Sequence, residues 1–227
     1  MIDPISLTEG VQKAVCRVGS KKYYRFRKAR FYGGVATADC MGCNLRCAYC
    51  WSQKKVWHHE KFGDYYTPYQ VGEKLLNMNV PLIRVSGGEP TICKDHLLEL
   101  LRLIPENKVF ILETNGILLD ENYVKDFSKF KNIYVRISLK GVDEPTFEQI
   151  TGAAGRFFKN QLHSLELLEK YGIDHRAALL VDLFTEEQIA SLGIPDLEYE
   201  TLITYPFVMK GLKKRGITLK IRNLSDD

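Results

Sequence analysis

Short runs of apolar and β-branched residues alternate with amphipathic stretches along most of the chain. The runs with strand character cover residues 34–38, 82–86, 108–113, 133–139, 175–181 and 197–204. The stretches with helical periodicity cover residues 67–77, 95–104, 121–130, 157–171 and 186–192, with a shorter turn at 144–150 and a final helix at 206–215. This alternation predicts parallel strands joined by helical crossovers, and it fits either a doubly wound open sheet or part of a (β/α) barrel. In both architectures the functional residues lie at the carboxyl ends of the strands.

The first 33 residues differ in character from the rest of the chain. Between residues 17 and 30 there are seven basic side chains and no acidic one, with Tyr23, Tyr24 and Phe26 among them. Basic and aromatic side chains together can hold a phosphate backbone and stack on bases. The same pattern is typical of a solvated hairpin with its charges on one face and its rings on the other. We predict that residues 1–33 form a basic N-terminal β-hairpin extension and that residues 34–227 form one α/β domain.

Composition limits the classes of protein to which the chain can belong. Apolar residues make up 45% of the 227 residues and charged residues 26%, which excludes collagen, coiled coils and wholesale disorder. No apolar run approaches the roughly 20 residues that span a bilayer, and the first residues lack the basic and apolar regions of a secretory signal. The net charge of +4 is too small to indicate a partner. We therefore expect a cytoplasmic protein with no membrane partner, in which the cysteines stay reduced.

Four of the six cysteines lie between residues 40 and 50. Cys43, Cys47 and Cys50 have C-x₃-C-x₂-C spacing, and Cys40 lies three residues upstream. Several thiolates on one loop can hold a metal ion or an iron–sulfur cluster. Three interpretations are open at this point: a structural zinc site with all four cysteines, an electron-transfer [4Fe–4S] cluster with four ligands, or a [4Fe–4S] cluster with three ligands and one open iron.

Glycine-rich and polar motifs follow the next predicted strands. The second strand ends in Ser-Gly-Gly-Glu-Pro at residues 86–90, the third in Glu-Thr-Asn-Gly at 113–116, and the fourth in Ser-Leu-Lys-Gly at 138–141. Together with the cysteine motif, in which Tyr49 precedes Cys50, they resemble the motifs of the radical S-adenosylmethionine (SAM) superfamily. The resemblance covers roughly residues 34 to 205 and implies a partial (β/α)₆ TIM barrel. Among the family, the chain is similar to its compact members, the glycyl-radical-enzyme activating enzymes.

The resemblance implies two cofactors, a [4Fe–4S] cluster and SAM. The implied cluster ligands are Cys43, Cys47 and Cys50. The amine and carboxylate of SAM would then chelate the open iron, so that Cys40 stays a free buried thiol. Cys16 and Cys93 could form a second cluster with Cys40, although their spacing does not require one.

The motifs also supply candidate SAM-binding residues. These are Tyr49 at the adenine, Gly87, Gly88 and Glu89 at the amine, Asn115 in its turn, Ser138 and Lys140 as polar contacts of the cofactor, and Arg176 at the carboxylate. Three of them have a second interpretation, since Tyr49 could be a core aromatic residue, Glu89 a cap of its loop, and Asn115 a turn residue. Glycine permits close approach of the backbone, and the lysine offers a flexible charge.

The implied reaction is reductive cleavage of SAM to methionine and a 5′-deoxyadenosyl radical, which abstracts hydrogen from a substrate. It implies a low-potential electron donor of the flavodoxin or ferredoxin type. The candidate substrate is a partner protein, as in the activating enzymes. The sequence Cys50-Trp51-Ser52 is similar to tRNA wyosine-base enzymes, so a tRNA substrate is the alternative. The alternative of another class is a non-catalytic iron–sulfur electron carrier or a zinc-binding module, with Cys40 as a fourth ligand.

Overall fold

The apolar runs pair into one mixed sheet in the computed structural model, which describes residues 1–220. The strands are β1 (Cys16–Arg17), β2 (Ser20–Ala29), β3 (Val35–Cys40), β4 (Asp64–Tyr66), β5 (Leu82–Gly87), β6 (Val109–Thr114), β7 (Ile133–Leu139), β8 (His175–Leu180) and β9 (Glu198–Glu200). In this part of the chain their order is β1-β2-β3-β5-β6-β7-β8-β9, and β4 pairs with β2 outside that order. The six strands from β3 to β9 in this order are parallel, as predicted from the β/α alternation.

Helices follow or precede these strands where the sequence provides caps. They are α1 (Pro4–Val15), α2 (Gln53–Val56), α3 (Pro68–Leu76), α4 (Lys94–Leu103), α5 (Glu121–Phe127), α6 (Glu144–Thr151), α7 (Phe158–Lys170), α8 (Glu186–Ala190) and α9 (Pro206–Lys214). At α3, Thr67 and Gln70 form a capping box and Pro68 occupies the first turn. At the end of α6, Gly152 has a φ of 71°, the left-handed conformation in which glycine is favoured. The predicted helices therefore end within about three residues of the observed ones.

The sheet curls towards a barrel but does not close. Its order ends at β1 on one side and β9 on the other, yet Arg25 of β2 and Glu198 of β9 line the same cavity. This confirms the predicted partial (β/α)₆ TIM barrel. The last strand is shorter than the predicted run of residues 197–204, because Glu198–Glu200 alone pair with β8.

The N-terminal segment contains a helix that the sequence analysis missed. Asp3 caps α1 by accepting hydrogen bonds from the backbone N–H groups of Ile5 and Ser6, at 2.9 and 3.0 Å. Val11 and Val15 of this helix pack in a small apolar cluster with Met41 and other residues. The predicted hairpin is present as β1 and β2, and β2 also pairs antiparallel with β3. The domain boundary at residue 33 stays a prediction, and residues 221–227 of the predicted second domain lie outside the described residues.

A disulfide joins Cys16 to Cys93, with their Cα atoms 5.9 Å apart across a sequence separation of 77 residues. It ties the first residue of β1 to the residue that precedes α4. The expectation that all cysteines stay reduced is therefore wrong for this pair, and neither is a free ligand for a second cluster. The packing of β1 beside the loop after β5 brings the two residues together, and their spacing in the sequence does not show this.

Most of the buried apolar residues form one core cluster, drawn from the strands and from the helices that cover the outer side of the sheet. Phe110, Val135 and Ala177 are buried strand residues of this cluster, and Leu100 and Leu168 are buried helical ones. Within residues 1–220, none of the helices combines the length and the apolar character needed to cross a bilayer.

Candidate active site at the strand ends

The carboxyl ends of the parallel strands and the loops after them surround a cavity of about 540 Å³. Most of the predicted site residues line this cavity although they come from four separate segments. They are Cys43, Cys47, Tyr49, Cys50, Gly87, Gly88, Glu89, Asn115, Ser138 and Lys140. The structure therefore brings the cysteine motif and the three strand-end motifs together in one place, as the rule for parallel α/β folds predicts.

The cysteine loop, residues 43–50, is fixed by backbone contacts. The N–H of Arg46 donates to the carbonyl of Thr151 at 3.2 Å, and the N–H of Ala48 donates to that of Ile150 at 2.8 Å. On the other side, the guanidinium of Arg215 donates to the carbonyl of Arg46 at 2.8 Å. The loop is thus held between the end of α6 and the residue that follows α9, which restricts the positions of its thiols.

The three thiols of this loop fit a [4Fe–4S] cluster. Burial raises the pKa of Cys43, Cys47 and Cys50, that of Cys50 to about 12, so the thiols hold their protons at neutral pH until iron displaces them. Among residues 1–220, no three His, Cys, Asp or Glu side chains converge as ligands of a single metal ion. A [4Fe–4S] cluster does not need such convergence, because each cysteine binds a different iron. The donor set is therefore that of a cluster with three protein ligands.

Cys40 lies outside this set because of strand alternation. It is the last residue of β3, where Asp39 faces the cavity and Cys40 faces the core. Its side chain is free and fully buried, and burial raises its pKa to about 11. Cys40 is thus buried as predicted, and its exclusion from the cluster ligands stays a prediction.

Gly87 and Gly88 bring two loops into backbone contact. The N–H of Gly88 donates to the carbonyl of Cys40 at 2.8 Å, and that of Glu89 donates to the carbonyl of Gly42 at 2.7 Å. Gly87 has a φ of 95°, and a Cβ on Gly88 would collide with the carbonyl of Gly42. Close packing against the start of the cysteine loop is thus a reason for glycine here, beside the predicted approach to the amine of SAM.

Glu89 and Asn115 join the strand ends to one another. The buried carboxylate of Glu89 accepts hydrogen bonds from the backbone and hydroxyl of Thr91 at 3.1 and 2.7 Å, from the hydroxyl of Thr114 at 2.6 Å, and from the N–H of Asn115 at 2.8 Å. The amide of Asn115 donates to Asn44, inside the cysteine loop, at 2.7 Å. These contacts support the loop-capping interpretation of Glu89, and they give Asn115 a structural role beyond its turn.

Lys140 and Ser138 lie together at the end of β7. The ammonium of Lys140 donates to the hydroxyl of Ser138 at 2.5 Å and lies 5.6 Å from the centre of the Tyr49 ring. Gln161 of α7, which the sequence analysis missed, accepts from the N–H of Lys140 at 3.0 Å and donates to the carbonyl of Asn115 at 2.5 Å. This buried glutamine fixes the ends of β6 and β7. In the sequence, the feature that could have indicated this role is an amide within the helical pattern of residues 157–171.

Arg176 is the predicted residue that the structure does not bring to the site. It is exposed near the amino end of β8 and does not line the cavity, whereas Leu180 at the carboxyl end of the strand does. The direction of a parallel strand decides this, because the cavity lies at the carboxyl ends. The assignment of Arg176 to the carboxylate of SAM is therefore not supported by its position.

The inner face of the sheet also has a set of charged side chains that the sequence motifs do not predict. They are Arg25, Arg27, Asp39, Arg84, Glu113, Arg136, Glu198 and Glu200. Their signal was the alternation of charged or polar residues with apolar ones inside the strands, as in Arg84-Val85-Ser86 and Arg136-Ile137-Ser138. The cavity therefore has a polar inner wall next to the cysteine loop.

Comparison with known proteins identifies the family. Residues 40–192, more than half of the chain, match the sequence model of the Radical SAM superfamily. GTP 3′,8-cyclase of Clostridium perfringens (strain SM101 / Type A) is 29% identical over 188 residues, which are 78% of this chain and 56% of that relative. The chain thus spans little more than half the length of this relative.

Two solved structures share the fold. Streptococcus suis SuiB bound to precursor peptide SuiA superposes with a TM-score of 0.62 at 18% identity, over 82% of this chain and 47% of that one. The protein anSMEcpe with bound AdoMet superposes with a TM-score of 0.56 at 20% identity, over 73% of this chain and 53% of that one. Radical SAM proteins use a [4Fe–4S] cluster and SAM, and the predicted cofactors are thus confirmed. From the match of its sequence and the arrangement of its motifs, the chain belongs to the Radical SAM superfamily.

Proposed function

We propose that this chain cleaves SAM reductively and directs the resulting radical to a partner protein or peptide, from which it abstracts hydrogen. When bound together, the cluster and SAM supply one-electron chemistry that gives methionine and a 5′-deoxyadenosyl radical. The observation that carries the proposal is the single cavity in which three cluster-type thiols meet the motifs at 86–90, 113–116 and 138–141.

Different residues of the chain would bind the cluster and SAM. Cys43, Cys47 and Cys50 would bind three irons and leave the fourth iron open, because Cys40 faces the core. Lys140 would interact with the carboxylate or the ribose hydroxyls of SAM, as a flexible donor already aligned by Ser138.

The glycine-rich loop would place its backbone at the amine of SAM. Gly88 is fixed against Cys40 by its own N–H, and Glu89 is fixed by four hydrogen bonds, so the loop is formed before the cofactor binds. Tyr49 and Leu45 give this end of the cavity an apolar part, where the adenine ring can pack and water is excluded.

An electron donor must approach close to the cluster. Lys54 and Lys55 are exposed on α2, directly after the cysteine loop. A basic surface at this position favours a donor with an acidic surface, and we propose a low-potential protein of the flavodoxin or ferredoxin type. The location of the reaction is proposed to be the cytoplasm, where such donors and thiol-bound clusters stay reduced.

A protein or peptide substrate is supported over RNA by the use of the basic residues near the N-terminus. Lys21 is buried and donates to the carbonyl of Glu89 at 3.3 Å, and Lys22 donates to a backbone carbonyl at 2.6 Å. Arg25 and Arg27 both bind Asp39 in the cavity. Four of the seven basic residues are therefore not part of a free surface for phosphates. The peptide-bound state of SuiB, a protein of the same fold, agrees with a peptide substrate.

The test is anaerobic reconstitution with iron and sulfide, followed by addition of SAM and dithionite and measurement of 5′-deoxyadenosine. Wild-type protein and Cys40→Ala should hold the cluster and form the product, whereas Cys47→Ala should lose both. An EPR spectrum of the reduced cluster that SAM leaves unchanged, together with no product, would indicate an electron carrier instead. Bound zinc without sulfide would indicate a zinc module.

A further inference from the structure

The charged residues on the inner wall form three clusters, two of which have unequal numbers of acids and bases. At one side of the cavity, Arg25 and Arg27 donate through their Nε atoms to the same oxygen of Asp39, at 2.6 and 3.1 Å. Two guanidinium groups thus share one carboxylate. Since both contacts use Nε, the terminal NH₂ groups are not used in them, and the cluster keeps a net positive charge.

The opposite side of the cavity has the reverse composition. Arg136 donates to both oxygens of Glu198 at 2.8 Å each, and to Glu200 at 2.8 Å. One guanidinium group thus holds two carboxylates. The side chain of Arg136 is 5% exposed, whereas those of Glu198 and Glu200 are 35% and 38% exposed. The outer part of this cluster is therefore acidic and accessible. Arg136, Glu198 and Glu200 together have a net negative charge, and the further cation that acts on Glu200 is Lys140 in the same cavity.

A balanced pair lies between the two clusters. Arg84 donates to Glu113 at 3.1 Å, and Glu113 also accepts from the hydroxyls of Ser86 at 2.6 Å and Tyr32 at 2.8 Å. Glu113 lies 3.9 Å from the guanidinium of Arg136 as well, so this pair adjoins the acidic cluster. Because β5 and β6 stand between β3 and β7 in the sheet, the wall changes from positive through neutral to negative along the strand order. All three clusters line the cavity that contains the cysteine loop.

Water still reaches charged groups in both of the unequal clusters. The side chains of Arg25, Glu198 and Glu200 are 48%, 35% and 38% exposed. A molecule bound against them would take them out of water and would therefore have to supply the partners of opposite charge. Here one side has a surplus guanidinium and the other a surplus carboxylate, both in the same cavity. A bound molecule with one group of each charge would complete both clusters at once.

We propose that this wall binds a zwitterionic substrate, with its anionic group on Arg25 and Arg27 and its cationic group on Glu198 and Glu200. The inference rests on the proposed function, because it concerns the substrate that lies beside SAM. The shared chemistry is one carboxylate and one ammonium or guanidinium group, provided either by a free amino acid or by a peptide segment with an acidic and a basic side chain.

Calorimetric titration of the reconstituted, SAM-saturated wild-type protein tests this directly. One set of probes is ω-amino acids of increasing chain length, each compared with the carboxylic acid and the amine of the same length. The other set is peptides with blocked termini that carry one arginine and one aspartate at different separations, compared with peptides in which glutamine or asparagine replaces one of the two. We expect at least one zwitterionic probe to bind about tenfold more tightly than both of its singly charged analogues.

Two double variants assign the two ends of the bound molecule. R25Q/R27Q should lose the contribution of the carboxylate, so that the zwitterion binds no better than the amine or the arginine-only peptide. E198Q/E200Q should lose the contribution of the cationic group, so that the zwitterion binds no better than the carboxylic acid or the aspartate-only peptide. A misfolded protein would lose both contributions together, so opposite losses in the two variants exclude general damage.

The outcomes distinguish a free amino acid from a peptide segment, and they distinguish failure of this inference from failure of the proposed function. Preference for the peptides supports a peptide segment, and preference for the ω-amino acids supports a small molecule. If no zwitterion in either set binds better than both of its analogues, or if both double variants lose the same contribution, the inference is overturned. Failure of the wild-type protein to form 5′-deoxyadenosine would overturn the proposed function instead, and it is measured without any of these probes.

Discussion

Replacement of Glu89 by glutamine tests whether this carboxylate organises the site. Its Oε1 accepts three hydrogen bonds, two from Thr91 and one from Thr114, and its Oε2 accepts one from the N–H of Asn115 at 2.8 Å. In Glu89→Gln the amide oxygen can take the place of Oε1, but the NH₂ group then faces the N–H of Asn115, donor against donor. One charge-assisted bond is lost and two buried donors are unpaired, so we expect the free energy of unfolding to fall by about 3 kcal/mol.

Urea denaturation of the reconstituted protein, followed by circular dichroism under anaerobic conditions, measures this loss. The matched control is Glu99→Gln on α4, because this carboxylate is 52% exposed and pairs with Arg102 at the surface. The control should change the free energy of unfolding by less than about 0.5 kcal/mol. If Glu89→Gln also changes the free energy of unfolding by less than about 0.5 kcal/mol, the carboxylate of Glu89 does not hold the strand ends together.

Three further changes have outcomes that follow from the structure. Gly88→Ala should abolish 5′-deoxyadenosine formation, because a Cβ would collide with the carbonyl of Gly42, directly before the cysteine loop. Gly10→Ala should keep the activity, because the space around Gly10 is open. Burial lowers the pKa of His96 to about 3. In the unfolded chain this imidazole takes up a proton as the pH falls through about 6.5, whereas in the folded chain it stays neutral down to about pH 3. Between pH 7 and about pH 4.5 the free energy of unfolding should therefore fall by about 3 kcal/mol more in the wild type than in His96→Gln, as measured by denaturation at each pH; equal slopes would contradict this. Cys16→Ser/Cys93→Ser removes a disulfide that closes a long loop and should lower the free energy of unfolding by about 4 kcal/mol in non-reducing buffer, with no difference from the wild type once the disulfide is reduced.

The parallel part of the fold could be predicted because its strands are apolar runs bounded by clear helix caps. The pattern at residues 133–139 gave the limits of β7, and Thr67-Pro68 gave the start of α3. The signal for α1 was also present, since Asp3 and Pro4 are a cap and a first-turn residue. The basic and aromatic residues that follow have the pattern of a hairpin, and that pattern predicts no helix before it.

The cysteine ligands could be predicted because their chemistry is local, whereas the role of other residues depends on distant contacts. A loop of eight residues contains all three thiols, so its spacing alone indicates the cluster. Glu89 receives bonds from Thr114 and Asn115, on the next strand and in the loop after it. The disulfide of Cys16 depends in the same way on packing across 77 residues. A motif thus identifies which residues lie at the site. The contacts made in the fold show whether such a residue is free to bind the cofactor or is hydrogen-bonded to another residue of the site, as Glu89 is.

The charge of the inner wall depends on strand order, and this is why no local pattern could predict it. Asp39 meets two arginines because β2 runs antiparallel to β3 and places Arg25 opposite it. Arg136 meets two glutamates because β8 stands between β7 and β9 and places the small, uncharged Ala178 in register with Glu198. A charged side chain on β8 at that position would pair with Arg136 or Glu198 and remove the surplus. The separation of positive and negative charge across the cavity is therefore a property of the neighbouring strands, and a variant that alters it should change which molecules bind without changing the cysteine loop.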